Sequence, residues 1–323
     1  MRARGGSRRR TRDRPAFGDA VDGVVVAVDR GRYTCRVGTG PDADEVVAVR
    51  GGDVRRKPVV VGDVVSLVGD TTGDTDTLGR IVRVAERTSL LRRTPDDTDP
   101  VERPVVANAD LLVCVVALAD PPPRARMIDR VLVAAYDGGL APLLCLTKPD
   151  LAAPEELVGL YAPLGVPVVV VARDAPVEPL LAQLRGRTAV FFGHSGVGKS
   201  TLVNRLVPLA LRATGHVNDT TGRGRHTSSS AVLFALPGEQ GYVVDTPGVR
   251  SFGLGAVSVS RVLAAFPDLA EGALACPPGC KHSADAVDCA LDGWVARGKA
   301  SAARLDSLRR VLASREGDES AGG

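Results

Sequence analysis

Residues 193–200 read GHSGVGKS and satisfy every fixed position of the phosphate-binding pattern G-x-x-x-x-G-K-[ST]. An apolar run at 189–192 predicts a buried strand before this stretch, and apolar residues at helical spacing over 201–207 predict a helix after it. A glycine-rich loop between a strand and a helix start surrounds an anionic phosphate with backbone N–H groups. The sequence therefore predicts a nucleoside triphosphate site, without specifying the base.

The roles of the phosphate-loop residues follow from their chemistry. Lys199 is predicted to reach the β- and γ-phosphates, and the hydroxyl of Ser200 is predicted to hold Mg²⁺. The predicted phosphate-binding residues are Gly193, His194, Ser195, Gly196, Val197, Gly198, Lys199, Ser200, Thr201 and, from a later segment, Gly248.

A base-reading loop is predicted at residues 147–150, which read TKPD and follow an apolar strand at 142–146. The Asp150 carboxylate would accept the N1 and N2 hydrogens of guanine, whereas adenine would leave this carboxylate unpaired. The stem of Lys148 can lie over the base. Thr147 stands where asparagine is usual in such loops, and its hydroxyl can still form a hydrogen bond. The predicted nucleotide is therefore GTP.

The acidic partner of the phosphate loop is the D-x-x-G segment at 245–248. Asp245 would bind Mg²⁺ through water, and the Gly248 N–H would meet the γ-phosphate. Residues 218–230 are rich in Gly, Ser and Thr, a composition typical of a mobile loop. A hydroxyl there, of Thr227 or Ser228, would complete the Mg²⁺ shell.

The order of these segments is unusual, because the base-reading loop precedes the phosphate loop, which precedes Asp245. Strands and helices alternate from residue 108 onward, which predicts a mostly parallel α/β sheet covered on both faces. The same sheet can be built from a circularly permuted chain. We therefore predict a permuted GTP-binding domain over residues 108–255, in which the chain after Gly248 is tied to a loop that senses the γ-phosphate.

The residues before this domain form three predicted parts. Residues 1–18 are an arginine-rich tail, predicted to be disordered. Residues 19–90 contain five short strand patterns separated by turn signals, which predict an all-β barrel of OB type. Residues 91–107 are polar, contain three prolines and are predicted to be a linker.

The C-terminal part carries a predicted metal site. Cys276, Cys280, His282 and Cys289 follow the pattern C-x3-C-x-H-x6-C, a ligand set that suits one structural Zn²⁺. Helices are predicted at 259–266 and 294–313, so residues 256–315 form a helical zinc-binding domain, followed by a disordered tail at 316–323. The apolar stripe of the last helix, at residues 305, 308, 311 and 312, is predicted to be core.

The composition is that of an ordinary globular protein. The chain has 323 residues, a net charge of +3 and 44% hydrophobic residues, which is enough for ordinary globular cores. No apolar run is long enough to cross a membrane, and no secretory signal is predicted. Cys35, Cys114 and Cys145 stand singly in apolar runs and are predicted to be small buried hydrophobes. This cysteine usage fits a reducing cytoplasm.

Three segments together resemble the ribosome small subunit-dependent GTPase A family: GHSGVGKST at 193–201, TGRGRHTSS at 221–229 and DTPGVRSFGL at 245–254. The resemblance covers nearly all of residues 19–315. It implies GTP hydrolysis to GDP, stimulated by the small ribosomal subunit and serving its late maturation, with rRNA binding and a C-terminal zinc domain. A cytoplasmic, monomeric protein without a membrane partner is expected.

Hydrolysis needs a group that orients water. Val249 follows Gly248, where many GTPases place glutamine, and a valine cannot serve. His226 has suitable donor and acceptor chemistry, and the resemblance implies that it is the catalytic residue. Two alternatives stay open. One is a nucleotide-gated RNA-binding module with negligible turnover. The other is an ATPase or small-molecule kinase, and the guanine-type loop ending in Asp150 argues against it.

Overall fold

The computed structural model describes residues 18–40, 43–54, 57–74, 77–93, 103–208, 231–246 and 257–314. The first five strands are β1 (Val21–Asp29), β2 (Arg32–Val37), β3 (Asp44–Arg50), β4 (Val64–Gly69) and β5 (Gly79–Val84). They close into a ring in the order β1-β2-β3-β5-β4, because β1 pairs with both β2 and β4. Alternate side chains, including Val25, Cys35 and Leu67, fill its interior. The predicted barrel is confirmed as a five-stranded, OB-like barrel.

Two strands lie at the ends of the segment predicted as a linker. Strand β6 (Leu90–Arg93) begins one residue before that segment, and β7 (Arg103–Ala107) ends it; the two pair as an antiparallel two-stranded sheet. Leu91 and Val106 are each only 1% exposed, so burial of these side chains overrides the polar composition around them. Pro104 is tolerated because the pairing register shifts beside it. The linker prediction was therefore wrong for both ends of the segment.

A six-stranded sheet follows, with the spatial order β10-β9-β8-β11-β13-β12. Its strands are β8 (Leu111–Ala117), β9 (Ala141–Thr147), β10 (Val168–Val171), β11 (Arg187–Phe192), β12 (Val232–Ala235) and β13 (Gly241–Asp245). All neighbours are parallel except the β12–β13 hairpin. The accompanying helices are α1 (Ala125–Gly138), α2 (Glu155–Tyr161), α3 (Glu178–Leu184) and α4 (Lys199–Leu206).

Helices cover both faces of this sheet, which explains the unbroken apolar strands. In β8, Leu112, Cys114 and Val116 belong to one hydrophobic core, while Val113 and Val115 belong to the core on the opposite face. Every β8 side chain is thus buried whichever way it points. Cys35, Cys114 and Cys145 are all buried, as predicted.

The barrel and the central sheet are joined edge to edge. Strand β1 pairs antiparallel with β12 at Ala27 and Val232, which makes one eleven-stranded sheet. The barrel thus contacts the strand that follows residues 209–230 in the chain.

The C-terminal part is helical: α5 (Val259–Ala264), α6 (Pro267–Ala273), α7 (Ala290–Ala296) and α8 (Ala302–Ala313). The single helix predicted over 294–313 was wrong, because Gly298 has a φ of 70° and the Ser301 hydroxyl accepts the Arg304 N–H to start a new helix. Helix α6, which Pro267 opens, was missed. The stripe of α8 is buried, as predicted for core.

No helix in the described ranges combines the length and apolar character needed to cross a membrane.

Candidate functional site

The phosphate loop connects β11 to α4 with the backbone that the motif requires. Gly196 and Gly198 have φ values of 84° and 89°, a region that favours glycine. A Cβ on Gly193 would lie 2.7 Å from the Val115 carbonyl oxygen, so this position also needs glycine. Val197 is buried and anchors the loop in the core, while Ser195 and Gly196 are exposed. The loop therefore presents its backbone outward at the start of α4, where an anion would bind.

Lys199 and Asp245 meet in a direct ion pair between the phosphate loop and the end of β13. The contact follows from sheet order, because β11 and β13 are parallel neighbours with Phe191 opposite Asp245. The Thr246 hydroxyl donates to the Phe191 carbonyl at 3.0 Å and holds the start of the next loop against β11. The structure thus brings together a cation suited to phosphate oxygens and a carboxylate suited to a Mg²⁺-bound water.

The loop predicted to read the base, residues 147–150, lies at the same edge of the sheet. Thr147 is buried at the end of β9, and its hydroxyl lies 2.7 Å from the Val197 carbonyl oxygen and 3.3 Å from that of Val116. The shorter contact joins this loop to the phosphate loop. Lys148 has a φ of 57°, and its ammonium group contacts the Asp120 backbone carbonyl. Asp150 is exposed beyond the strand end.

Several predicted site residues lie outside the described residues. They are His226, Thr227 with its alternative Ser228, and Gly248. The structure therefore brings the phosphate loop, the predicted base-reading loop and Asp245 together, and the roles of all the predicted site residues remain predictions.

Two features of this edge were missed by sequence reasoning. Residues 121–124, which follow β8, line a cavity of about 190 Å³ together with His194 and Ser195 of the phosphate loop. Arg205 of α4 binds backbone carbonyls of the segment that follows β10. The proline run at 121–123 could have indicated a rigid loop, but Arg205 carries no comparable signal because its partners are main-chain atoms.

The four predicted metal ligands come together. The donor atoms of Cys276, Cys280, His282 and Cys289 all lie within 4.8 Å of one another. His282 Nδ1 is 3.6 Å from Cys276 Sγ and 3.9 Å from Cys289 Sγ. A tetrahedral zinc ion separates its sulfur and nitrogen ligands by about 3.5 Å, so the residues fit this metal.

The cluster is partly shielded from water. Burial raises the pKa of Cys276 to about 11 and lowers the pKa of His282, so the imidazole is kept neutral, as a metal ligand must be, whereas the thiolate form of Cys276 would need a bound metal cation to stabilise it. The Ala290 N–H donates to Cys276 Sγ at 3.3 Å. Arg309 donates to the His282 carbonyl and binds Asp292 with two hydrogen bonds of 2.9 and 2.7 Å. These contacts hold α7, α8 and the ligand loop together.

Comparison with known proteins agrees with this arrangement. A family model described as RsgA GTPase matches residues 84–255. The small ribosomal subunit biogenesis GTPase RsgA of Pseudomonas fluorescens (strain SBW25) is 42% identical over 246 residues, which cover 73% of this chain and 70% of that protein. Its namesake from Ectopseudomonas mendocina (strain ymp) is 40% identical over 270 residues, 81% of this chain and 76% of that protein.

Two solved structures share the fold. The crystal structure of YjeQ from Thermotoga maritima matches with a TM-score of 0.66 at 25% identity, covering 91% of this chain and 98% of that one. The structure of YloQ, described as a circularly permuted GTPase, matches with a TM-score of 0.63 at 23% identity, covering 91% and 94%. The predicted permuted fold is thereby confirmed.

Proposed function

Since this chain belongs to the RsgA GTPase family, we propose that the small ribosomal subunit stimulates its GTP hydrolysis and that this hydrolysis serves late maturation of the subunit. Hydrolysis of GTP to GDP and phosphate, in small ribosomal subunit biogenesis, is the activity that family membership supports. The partners we propose are the subunit with its rRNA and GTP or GDP, for a monomer in the cytoplasm.

One observation carries the proposal at the level of the site. The Thr147 hydroxyl lies 2.7 Å from the Val197 carbonyl, so the base-reading and phosphate loops are joined by a hydrogen bond. A nucleotide bound to both loops would therefore have its base and its phosphates held by one rigid edge. Asp150 would accept the guanine N–H groups, and Lys148 would lie over the base.

The phosphate end of the site has a defined set of groups. We assign residues 193–201 and Gly248 to the phosphates, with Lys199 as the cation that meets their oxygens. Ser200, Asp245 and Thr227 would hold Mg²⁺, which neutralises charge on the β- and γ-phosphates when bound. His226 would orient the attacking water, since Val249 cannot.

Nucleotide state would be transmitted to the C-terminal domain. Residues 247–258 connect Asp245 to α5, and the Ser258 N–H at the end of this connection donates to the Asp137 carboxylate at 3.1 Å. We propose that the state of the γ-phosphate sets the position of this connection, and with it the grip of the zinc-binding domain on the subunit. A single structural Zn²⁺ on Cys276, Cys280, His282 and Cys289 would keep that domain folded.

The deciding experiment measures turnover of GTP, ATP and xanthosine triphosphate with and without purified small ribosomal subunits. It compares the wild type with His226→Ala and Asp150→Asn. We expect strong stimulation specific for GTP, loss of stimulated turnover in His226→Ala with GTP binding retained, and a preference for xanthosine triphosphate in Asp150→Asn.

The alternative function is a nucleotide-gated RNA-binding module with negligible turnover, which the valine at position 249 favours. Intact GTP binding without stimulation by the subunit would support that alternative and contradict the proposal. Equal use of ATP would show that residues 147–150 do not read the base.

A further inference from the structure

We infer that Arg205 is a positioning residue for guanine binding, because it fastens the backbone that follows β10 to the helix of the phosphate loop. The inference rests on the proposed function and adds to it a residue that is part of neither the phosphate loop nor the base-reading loop. Arg205 lies in the last turn of α4, the helix that begins with Lys199.

The contacts of Arg205 are two hydrogen bonds to main-chain carbonyls. One terminal nitrogen donates to the Ala172 carbonyl at 3.0 Å, and the other donates to the Ala175 carbonyl. Leu202, Val203 and Leu206 of the same helix are buried in the core, which fixes the side of α4 from which Arg205 projects. A charged donor strengthens each bond, and the planar guanidinium can serve two carbonyls at once.

The segment that Arg205 holds lies beside the base-reading loop. Strand β10 is a parallel neighbour of β9, with Val171 opposite Thr147. Ala172 therefore leaves the sheet next to Lys148, at the edge where the base is proposed to bind. Because Thr147 is itself bonded to the phosphate loop, Arg205 completes a set in which three segments at this edge are fixed to one another.

The held segment has few side chains that could bond its own backbone. Residues 171–175 read VARDA, with Asp174 as their one acceptor side chain, and two of their carbonyls are bonded from outside by Arg205. Arg205 and residues 174–178 line an open depression on the surface, so these two hydrogen bonds are the described contacts by which α4 holds the segment there. We infer that loss of Arg205 would loosen the wall of the purine pocket and leave the phosphate loop intact.

This role predicts a specific kinetic pattern. GTP and GDP share the base, so both should bind less tightly when Arg205 is removed. The hydrolysis step itself uses groups at the phosphate end, so kcat at saturating GTP should not change. A loosened purine pocket should also discriminate less between guanine and adenine.

The test compares Arg205→Ala and Arg205→Lys with the wild type. Arg185→Ala is the matched control, because it removes the same charge from a site away from the base-reading loop. In the wild type, Arg185 contacts the Gln240 side chain at 3.3 Å. We measure kcat and KM for GTP and ATP with small ribosomal subunits, GDP affinity by fluorescence titration, and thermal unfolding. For Arg205→Ala we expect KM and the GDP Kd to rise about tenfold, kcat to stay within about twofold, and the preference for GTP over ATP to fall about fivefold.

Arg205→Lys should fall between the wild type and Arg205→Ala, because an ammonium group keeps the charge without the two-pronged geometry. If the alanine variant does not fold, the lysine variant decides the matter. The inference is overturned if Arg205→Lys or Arg205→Ala retains wild-type KM and selectivity, or if GTP and ATP affinity fall equally. A wild type without any preference for GTP would instead overturn the proposed function, and this inference with it.

Discussion

At the residue scale, the hydroxyl of Thr147 forms a hydrogen bond that an apolar side chain of the same shape cannot form. It is buried and lies 2.7 Å from the Val197 carbonyl, at the junction of the two loops proposed to bind the nucleotide. In this position the threonine supplies a donor to the phosphate loop, so its substitution for the usual asparagine keeps the two loops connected.

We therefore expect Thr147→Val to lower the free energy of unfolding by about 1–3 kcal/mol, because a buried carbonyl loses its partner without a change of volume. GDP affinity should fall as well, since the loops would no longer be held in register. Urea denaturation and GDP titration measure the two effects. Thr147→Ser, which keeps the hydroxyl, is the control and should retain GDP affinity. A valine variant with wild-type stability and affinity would show that the hydrogen bond does not matter.

Individual site residues were predictable where a motif encodes backbone chemistry. Gly193, Lys199 and the four candidate metal ligands could be proposed from sequence because glycine conformations, a cation placed for phosphate and the spacing of thiols and histidine leave a signature there, and the structure brings the four candidate ligands together. Arg205 was not, because its partners are carbonyl oxygens some thirty positions away, and any residue type supplies a carbonyl. The contact of Lys148 with Asp120 was missed for the same reason.

At the element scale, α8 is fastened to α1 by a buried ion pair. Asp129 is 2% exposed, and its carboxylate accepts the Arg310 Nε–H at 3.1 Å. Arg310 also stacks over the Tyr161 ring at 5.2 Å. Burial raises the pKa of Asp129, and the Arg310 charge opposes that rise. The arginine therefore stabilises the ionised form of this buried carboxylate at the contact between the two helices.

Removal of that arginine should make stability depend more strongly on pH. In Arg310→Met the pKa of Asp129 in the folded state would rise further. A carboxyl whose folded-state pKa is raised stabilises the fold at low pH, and this contribution is lost as pH rises through the folded-state pKa. We expect a loss of about 3–5 kcal/mol in the free energy of unfolding at pH 8, relative to wild type, and a smaller loss at pH 5. Urea titrations of both proteins at each pH measure it.

The double variant Arg310→Met, Asp129→Asn is the control and should lose most of this pH dependence, because the amide does not ionise. Equal losses at pH 5 and pH 8 in the single variant would show that Asp129 is not the group responsible.

Elements were predictable where burial and pattern agree. The strand pattern at 111–117 is apolar throughout, and β8 forms there with both faces covered. Strands β6 and β7 were missed because the residues around them are polar, whereas their stability comes from packing of Leu91 and Val106 in a core that distant segments complete. The break between α7 and α8 depends on a left-handed turn at Gly298, and a single glycine does not by itself predict one.

At the scale of the whole molecule, the two segments that flank Asp245 along the chain lead to different partners. Strand β12, which follows residues 209–230, pairs with β1 of the barrel. The connection after Asp245 leads to α5, and helix α8 returns to α1 of the central domain. In the proposed function, a change of nucleotide state would reach the barrel by one route and the C-terminal helices by the other.

The motif order predicted the permuted domain, but it could not predict the pairing of Ala27 with Val232. Edge pairing between β1 and β12 depends on how two separately folded sheets meet, and neither strand carries a sequence pattern specific for the other.

The last prediction concerns the metal and separates stability from nucleotide binding. The ligand loop at 276–289 is short of large apolar side chains. Val287 within it is 82% exposed and Leu274 just before it is 86% exposed, so little hydrophobic burial holds this loop. We expect the purified protein to contain about one zinc per chain, and chelation to lower the first thermal transition by about 10 °C or more.

Because the proposed nucleotide loops lie on the central sheet, GDP affinity should stay within about twofold after chelation, while stimulation by the subunit should fall. Metal analysis, calorimetry and GDP titration test this, with Cys276→Ser expected to behave like the chelated protein and Cys35→Ser, outside the cluster, to retain its zinc. Zinc-free protein that unfolds at the wild-type temperature would show that the cluster does not need a metal.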